Sequence, residues 1–195
     1  GRLSICGEES FGTGSDHIRE KDGLWAIVAW LNILAFANKE HAGTSVADVL
    51  QAHYKQYGRN FFSRYDYEEV ESAGAQTMMS ELRAKVTDPA FLGSTQGSFK
   101  VAEAGDFSYT DPIDHSVSKN QGLYVRMEDG SRIVFRLSGT GSAGATIRLY
   151  VEKYSSMAAE YAADVQEALR PIIDVTLQLS ALQRHTGRKE PTVIT

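Results

Sequence analysis

At 195 residues the chain has room for one large domain or two small ones, and an apolar content of 42% is enough to fill a core. A formal net charge of −5 disfavours nucleic acid as a partner, and the single cysteine, Cys6, excludes an internal disulfide framework. No apolar run reaches the length of a membrane span and no secretory leader is visible, so a reducing, cytoplasmic setting is expected.

The chain opens on Gly1 rather than methionine and is strand-like by Leu3, so it reads as a piece of something longer. Residues 3–6 form a short apolar strand, and residues 7–16 a loop rich in glycine and hydrogen-bonding groups. Glu8, Glu9 and Ser10 in that loop have the donors and acceptors to hold vicinal sugar hydroxyls, although a solvated acidic loop would look the same. Arg19 and Lys21 add positive charge beside it. A lysine there can neutralise an anionic substrate or move a proton, the latter only if its pKa falls from the usual value of about 10.4. Residues 23–36 are a helix that is apolar on nearly all faces. Such a helix belongs inside a larger domain and needs partners to cover it. Thr44 or Ser45 caps a second helix that runs to about Tyr57, and Gly58 ends it. The domain boundary is placed there, giving 1–57 and 58–195.

Residues 60–67 alternate as a strand. Residues 68–86 read as an amphipathic helix with Val70, Met78 and Leu82 inward and Gly74 tolerated at some cost. A strand at 98–103, a turn at 111–114 and a hairpin around Asp129-Gly130 follow. A long helix is expected over about 156–183, kinked or restarted at Pro171, with Val165, Leu169, Ile172, Ile173, Leu177 and Leu179 buried. Residues from Gly187 are a tail. From Arg59 onward the pattern is α+β, an antiparallel sheet with helices on one face.

The run from Arg132 to Val151 stands out. Ile133 and Phe135 alternate with Val134 and Arg136, and Ile147, Leu149 and Val151 alternate with Arg148 and Tyr150. Two strands therefore enclose Ser138-Gly139-Thr140-Gly141-Ser142-Ala143-Gly144, with an arginine near each end. Small residues let backbone N–H groups turn inward as an anion nest, the hydroxyls of Ser138, Thr140 and Ser142 add donors, and guanidinium forks match a phosphate. The spacing also satisfies the dinucleotide fingerprint G-x-G-x-x-G, but a strand rather than a helix follows, which rejects that reading. No kinase catalytic motif and no Walker lysine accompany the loop. A phosphate-binding loop remains, against the plainer alternative of a Gly-rich hairpin with solvated arginines.

Residues 6–25 resemble the sugar-binding loop of the third domain of the α-D-phosphoglucomutase family (phosphohexomutase superfamily), and residues 136–150 resemble the phosphate-binding loop of its fourth domain. Residues 57–67 and 186–195 resemble the same family, so the likeness covers nearly the whole chain. It implies the end of an α/β third domain over 1–57 and, over 58–195, a fourth domain with a fold like that of TATA-box-binding protein. It implies interconversion of glucose 1-phosphate and glucose 6-phosphate through a phosphoserine, with glucose 1,6-bisphosphate as intermediate and Mg²⁺ as cofactor. By the same resemblance Glu8 and Ser10 bind sugar hydroxyls, Arg19 and Lys21 contact the substrate, and Lys21 is a candidate proton shuttle. Arg59 faces the substrate, and Arg136, Ser138, Gly139, Thr140, Gly141 and Arg148 hold the phosphate that is not reacting. The expected partners are a phosphosugar and the remaining domains of the enzyme, with no nucleic acid and no membrane.

The family's phosphoserine motif, T-A-S-H-N, and its metal loop, D-G-D-G-D, do not occur in these residues. No metal ligands are expected in this chain, and it is expected to be inactive by itself. The alternatives are a non-catalytic relative kept as a structural or interaction protein, and a related phosphomannomutase.

Overall fold

A computed structural model describes all residues except 1–3, 9, 10, 19, 142 and 143, and describes only the backbone at Thr140 and Gly141. The chain divides into two compact units, Gly1–Tyr57 and Gly58–Thr195.

In the first unit β1 (Ile5–Gly7) pairs antiparallel with β2 (Thr13–Ser15), and α1 (Gly23–Glu40) and α2 (Val46–Tyr57) follow. Asp22 starts α1 by accepting from the Trp25 N–H at 2.9 Å. Ser45, rather than Thr44, starts α2. The Asp48 N–H donates to Ser45 Oγ at 3.2 Å and the Ser45 N–H to Asp48 Oδ2 at 2.9 Å, a reciprocal capping box. None of the α1 residues is buried, and Leu24 is 77% and Phe36 66% exposed. The expectation of a helix that requires covering is thus matched by a helix with its apolar side chains in the open.

In the second unit β3 (Arg59–Val70) leads to α3 (Ser72–Val86), then β4 (Thr95–Gln96) and β5 (Phe99–Asp106). A small pair, β6 (Tyr109–Thr110) and β7 (Val117–Ser118), precedes β8 (Leu123–Met127), β9 (Arg132–Gly141) and β10 (Gly144–Ser155). The chain ends with α4 (Val165–Ser180), α5 (Leu182–Thr186) and β11 (Val193–Ile194). Seven strands form one antiparallel sheet in the order β11-β3-β10-β9-β8-β5-β4. Helices α3 and α4 pack on one face of it. The period-two alternation explains why: Ile133, Phe135, Ile147, Leu149 and Val151 are all buried beneath them. Met78 and Leu82 from α3 and Leu169, Ile172 and Ile173 from α4 close the core.

Several boundaries differ from the sequence expectation. Residues 68–70 continue β3 instead of starting a helix, because Val70 pairs with Ala145, and ladder pairing outweighs the helix propensity of the Glu68-Glu69 stretch. Strand β5 runs on to Asp106. Residues 156–164 are not helical apart from a single 3₁₀ turn, Ala158–Glu160. Helix α4 begins only where Asp164 accepts from the Gln166 and Glu167 N–H groups at 2.9 and 3.1 Å. Pro171 lies within the helix on its exposed side, and the break comes instead at Ala181, whose φ is +46°. The short strands β2, β4, β6, β7 and β11 were not anticipated; β2 takes residues 13–15 of the expected 7–16 loop.

Gly74 is required rather than tolerated. A methyl group built on it would lie 2.2 Å from the His185 carbonyl oxygen, so α3 approaches the backbone of α5 at this point. Gly74→Ala gains up to about 1 kcal/mol of helix propensity. It forces backbone apart at a cost of typically 1–3 kcal/mol. Net destabilisation is expected, read as a lower urea midpoint with unchanged slope. Tyr67 is 1% exposed and its hydroxyl is buried without a partner, and burial pushes its pKa up to about 12. Tyr67→Phe is therefore expected to match or exceed the parent in stability at pH 8, by up to about 1 kcal/mol. A raised folded pKa means that this tyrosine's contribution is intact below the ordinary value of 10 and is lost as pH rises toward 12. The parent should lose more stability than Tyr67→Phe between pH 9 and 11, measured by urea titration at both values.

Candidate functional site

The outer face of the sheet carries the arginines. Along β9, Arg132, Val134 and Arg136 point away from the helices, while Ile133 and Phe135 point into the core. On β10 the same parity puts Arg148 and Tyr150 outward. The ladder places Arg136 directly opposite Arg148, and Arg148 directly opposite Asp66 on β3. Like charges opposed across a ladder are unfavourable by roughly 0.2–1 kcal/mol, so this row is not what folding alone would select.

The stems of the two arginines lean apart. A methyl group built on Gly122 would lie 3.1 Å from Arg136 Cγ, so Arg136 passes over the strand edge at β8. Arg148 Nε lies 3.7 Å from Asp66 Oδ2, on the other side. Asp66 is 4% exposed and also stands 2.9 Å from Arg64 Nε through Oδ1. That approach is short but misaligned. Arg64 Nε, Asp66 Oδ1 and Arg148 Nε are all buried with no hydrogen bond of proper geometry. Two guanidiniums, those of Arg64 and Arg148, thus stand around one carboxylate on this face.

The expected loop at 138–144 is mostly strand. β9 continues to Gly141 and β10 starts at Gly144, with Ser138 paired to Thr146 and the register shifting between Gly144 and Thr146. Gly139 has φ +63° and is exposed, and Gly144 has φ +91°. At Gly144 a side chain would meet the Glu69 Cα and the Val70 carbonyl at 3.2 Å, so β3 and β10 can close here only around a glycine. The Thr140 hydroxyl and residues Ser142 and Ala143 lie outside what the structure describes. Beside Arg136 the outer face opens into a groove of about 750 Å³, which Arg126, Arg132, Tyr124 and Phe107 help to line.

Arg59 stands apart from this row. It pairs with Ser155, seven residues along β10 from Arg148. At about 3.3 Å per residue that is roughly 23 Å. Its Nη1 donates to the Tyr161 and Ala163 carbonyls at 2.7 and 3.0 Å, and its guanidinium lies over the Phe61 ring.

In the first unit the structure brings together Glu8 and Lys21, with Nζ donating to Oε2 at 3.0 Å. The stem of Lys21 lies on Gly12, where a methyl group would sit 2.4 Å from Cδ. Ser10 and Arg19, the other expected substrate contacts, lie outside the described residues. His17 links Ser15 to Asp22: its Nε2–H donates to Asp22 Oδ2 at 2.9 Å, and its Nδ1 shares a hydrogen bond with Ser15 Oγ. Asp66 and Arg64 escaped the sequence reading. The available signal was an Arg-x-Asp spacing on the polar parity of a strand, which places both on one face.

Comparison with known proteins gives a consistent result. Residues 59–192 match the family model "Phosphoglucomutase-1, C-terminal domain" and residues 1–57 match "Phosphoglucomutase/phosphomannomutase, alpha/beta/alpha domain III". The chain is 56% identical to phosphoglucomutase-1 of Homo sapiens, covering 100% of this chain and 34% of that protein. It is 57% identical to the phosphoglucomutase of Schizosaccharomyces pombe, covering 100% and 35%. It is 56% identical to the chloroplastic phosphoglucomutase of Solanum tuberosum, covering 100% and 31%. Among solved structures, the open form of the exocytosis-sensitive phosphoprotein parafusin (a phosphoglucomutase) from Paramecium superposes with a TM-score of 0.83 at 50% identity, covering 98% of this chain and 32% of that one. The chain spans about a third of the length of these relatives.

The Asp22 cap carries a pH dependence. The Trp25 N–H first, and the His17 ring second, hold the Asp22 carboxyl below its ordinary 3.8. A depressed folded pKa adds stability that is present above 3.8 and lost as pH falls through the lower value. Fraying at the start of α1 is expected below about pH 4. Backbone amide signals of residues 23–26 followed by NMR should show it, and Asp22→Ala should show the frayed state already at pH 7.

Proposed function

The chain belongs to the phosphoglucomutase family, and from that membership we propose that it serves as the sugar- and distal-phosphate-binding part of an enzyme that interconverts glucose 1-phosphate and glucose 6-phosphate. The observation that carries the reading is the outward pair Arg136–Arg148, opposed in register at the mouth of the Gly139–Gly144 hairpin. Opposed like charges on a sheet face cost stability, and a phosphate dianion bridging them converts that cost into charge-assisted hydrogen bonds. Ser138 and Thr140 supply hydroxyls, and Gly139 and Gly141 supply N–H groups unhindered by a side chain. Glu8 and Ser10 accept and donate to sugar hydroxyls, and Arg19 and Arg59 add positive charge toward the substrate. The Glu8–Lys21 ion pair holds the ammonium on the sugar loop and favours its charged form, so Lys21 passes a proton to or from the reacting sugar oxygen only once substrate draws it away from Glu8.

The sugar must be held in two opposite orientations for the two phosphate positions to exchange, with the bisphosphate as intermediate. A site made of guanidinium forks and backbone N–H groups suits this, because it grips a phosphate without reading what the phosphate is attached to. Phosphoryl transfer itself needs a nucleophile and a divalent cation. Among the described residues no group of three or more His, Cys, Asp or Glu side chains could hold a metal ion. The chain's own part is binding and orientation.

The remaining domains of the relatives are the proposed partners, and they account for α1, whose exposed Leu24, Ile27, Leu31 and Phe36 call for a cover. No helix among the described residues is long and apolar enough to cross a membrane. The proposed location is cytoplasmic, with the plastid relatives as precedent for an organellar form. A second reading, a structural or interaction protein, draws on the parafusin relative, described as an exocytosis-sensitive phosphoprotein as well as a phosphoglucomutase.

Glucose 6-phosphate titrated onto the 195-residue chain should bind with a Kd on the order of 1 mM. Isothermal titration or NMR should show it weakened about tenfold or more by Arg136→Gln or Arg148→Gln, the loss of one charge-assisted contact. The purified chain should not turn over glucose 1-phosphate. Binding indifferent to both substitutions would sink the phosphate assignment.

A further inference from the structure

We propose that Asp66 is a positioning residue that sets where the Arg148 guanidinium stands for phosphate, an inference that rests on the reading just given. Its backbone is held on both sides, by pairing with Arg148 on β10 and with Val193 on β11, and its carbonyl accepts from the Thr192 N–H at 2.7 Å. Its side chain is 5% exposed, in contrast to the exposed Arg136 on the same row. Among the described residues Asp66 is the only ionic partner of Arg148.

The engagement is incomplete in a particular way. Buried carboxylates and guanidiniums ordinarily form aligned, saturated hydrogen bonds. Here Asp66 stands 3.7 Å from Arg148 and 2.9 Å from Arg64, and neither Nε donates with proper geometry. Asp66 divides its charge between two guanidiniums and satisfies neither. The arrangement orients the Nε edge of Arg148 toward β3, across the row from Arg136, and a phosphate between the two completes the set of acceptors. Fixing a long side chain beforehand lowers the ordering cost of binding.

Electrostatics alone gives the opposite sign. A carboxylate beside an anion site repels the anion, so a residue acting only through its charge would, when neutralised, improve binding. A residue acting through position would, when neutralised, worsen it. Asp66→Asn separates the two, because the amide keeps the size and removes the charge that holds Arg148.

The experiment uses the 195-residue chain, with inorganic phosphate and glucose 6-phosphate as probes, followed by NMR of the arginine Nε–Hε signals. Asp66→Asn should weaken both probes about tenfold, a change of about 1.4 kcal/mol. It should also move the Arg148 Nε–Hε signal toward that of exposed Arg126. In an Arg148→Gln background it should add nothing further. Unchanged or tighter binding in Asp66→Asn overturns the positioning role. Arg148→Gln alone keeps the two claims apart: if it binds the probes as the parent does, the phosphate reading itself has failed, whatever Asp66→Asn shows. Should Asp66→Asn not fold, the parent decides. Its Arg148 Nε–Hε should exchange with water more slowly than that of Arg126 and should shift on adding phosphate, and exchange as fast as Arg126 overturns the proposal.

Discussion

The register of the β3–β10–β9 ladder is the constraint on which the site depends. Because side chains alternate across a strand, a slip of one residue would send Arg136 and Arg148 into the core and bring Phe135 and Leu149 out. The apolar face prevents that slip. Ile133, Phe135, Ile147, Leu149 and Val151 can be buried under α3 and α4 in only one register. The same choice aligns Arg136, Arg148 and Asp66 in one row on the opposite face. The core therefore determines the placement of charges that by themselves would rather be apart.

Electrostatic cost gathers on this face and apolar gain on the other. Arg64, Asp66 and Arg148 hold buried polar atoms without aligned partners, while the helix-covered face is filled by aliphatic and aromatic side chains. Charges that compromise stability are usually retained where a ligand, not the fold, needs them. The glycines serve the same end by another means. Gly144, with a positive φ, lets β3 and β10 converge where the hairpin turns back.

The first unit shows the complementary situation. Its two helices are well capped, by Asp22 and by the Ser45–Asp48 box, so local signals suffice to form them. Yet α1 buries none of its apolar residues. Local structure and tertiary burial are separate achievements, and α1 has the first without the second.

What the sequence determined is what repeats at short range. The strands of 132–151 with their inward and outward residues, the Asp129-Gly130 hairpin and the Gly-rich segment between two arginines all follow from period-two alternation and turn chemistry. Tertiary structure alone decided where long-range pairing competes with propensity. It drew Glu68–Val70 into β3, delayed α4 to Val165, carried the helix past Pro171, and made Gly74 a point of contact with α5. It also gave Asp66 its importance. A carboxylate on the polar side of a strand is ordinary until pairing sets an arginine across from it and the chain's own end closes over it, and neither neighbour is near in sequence.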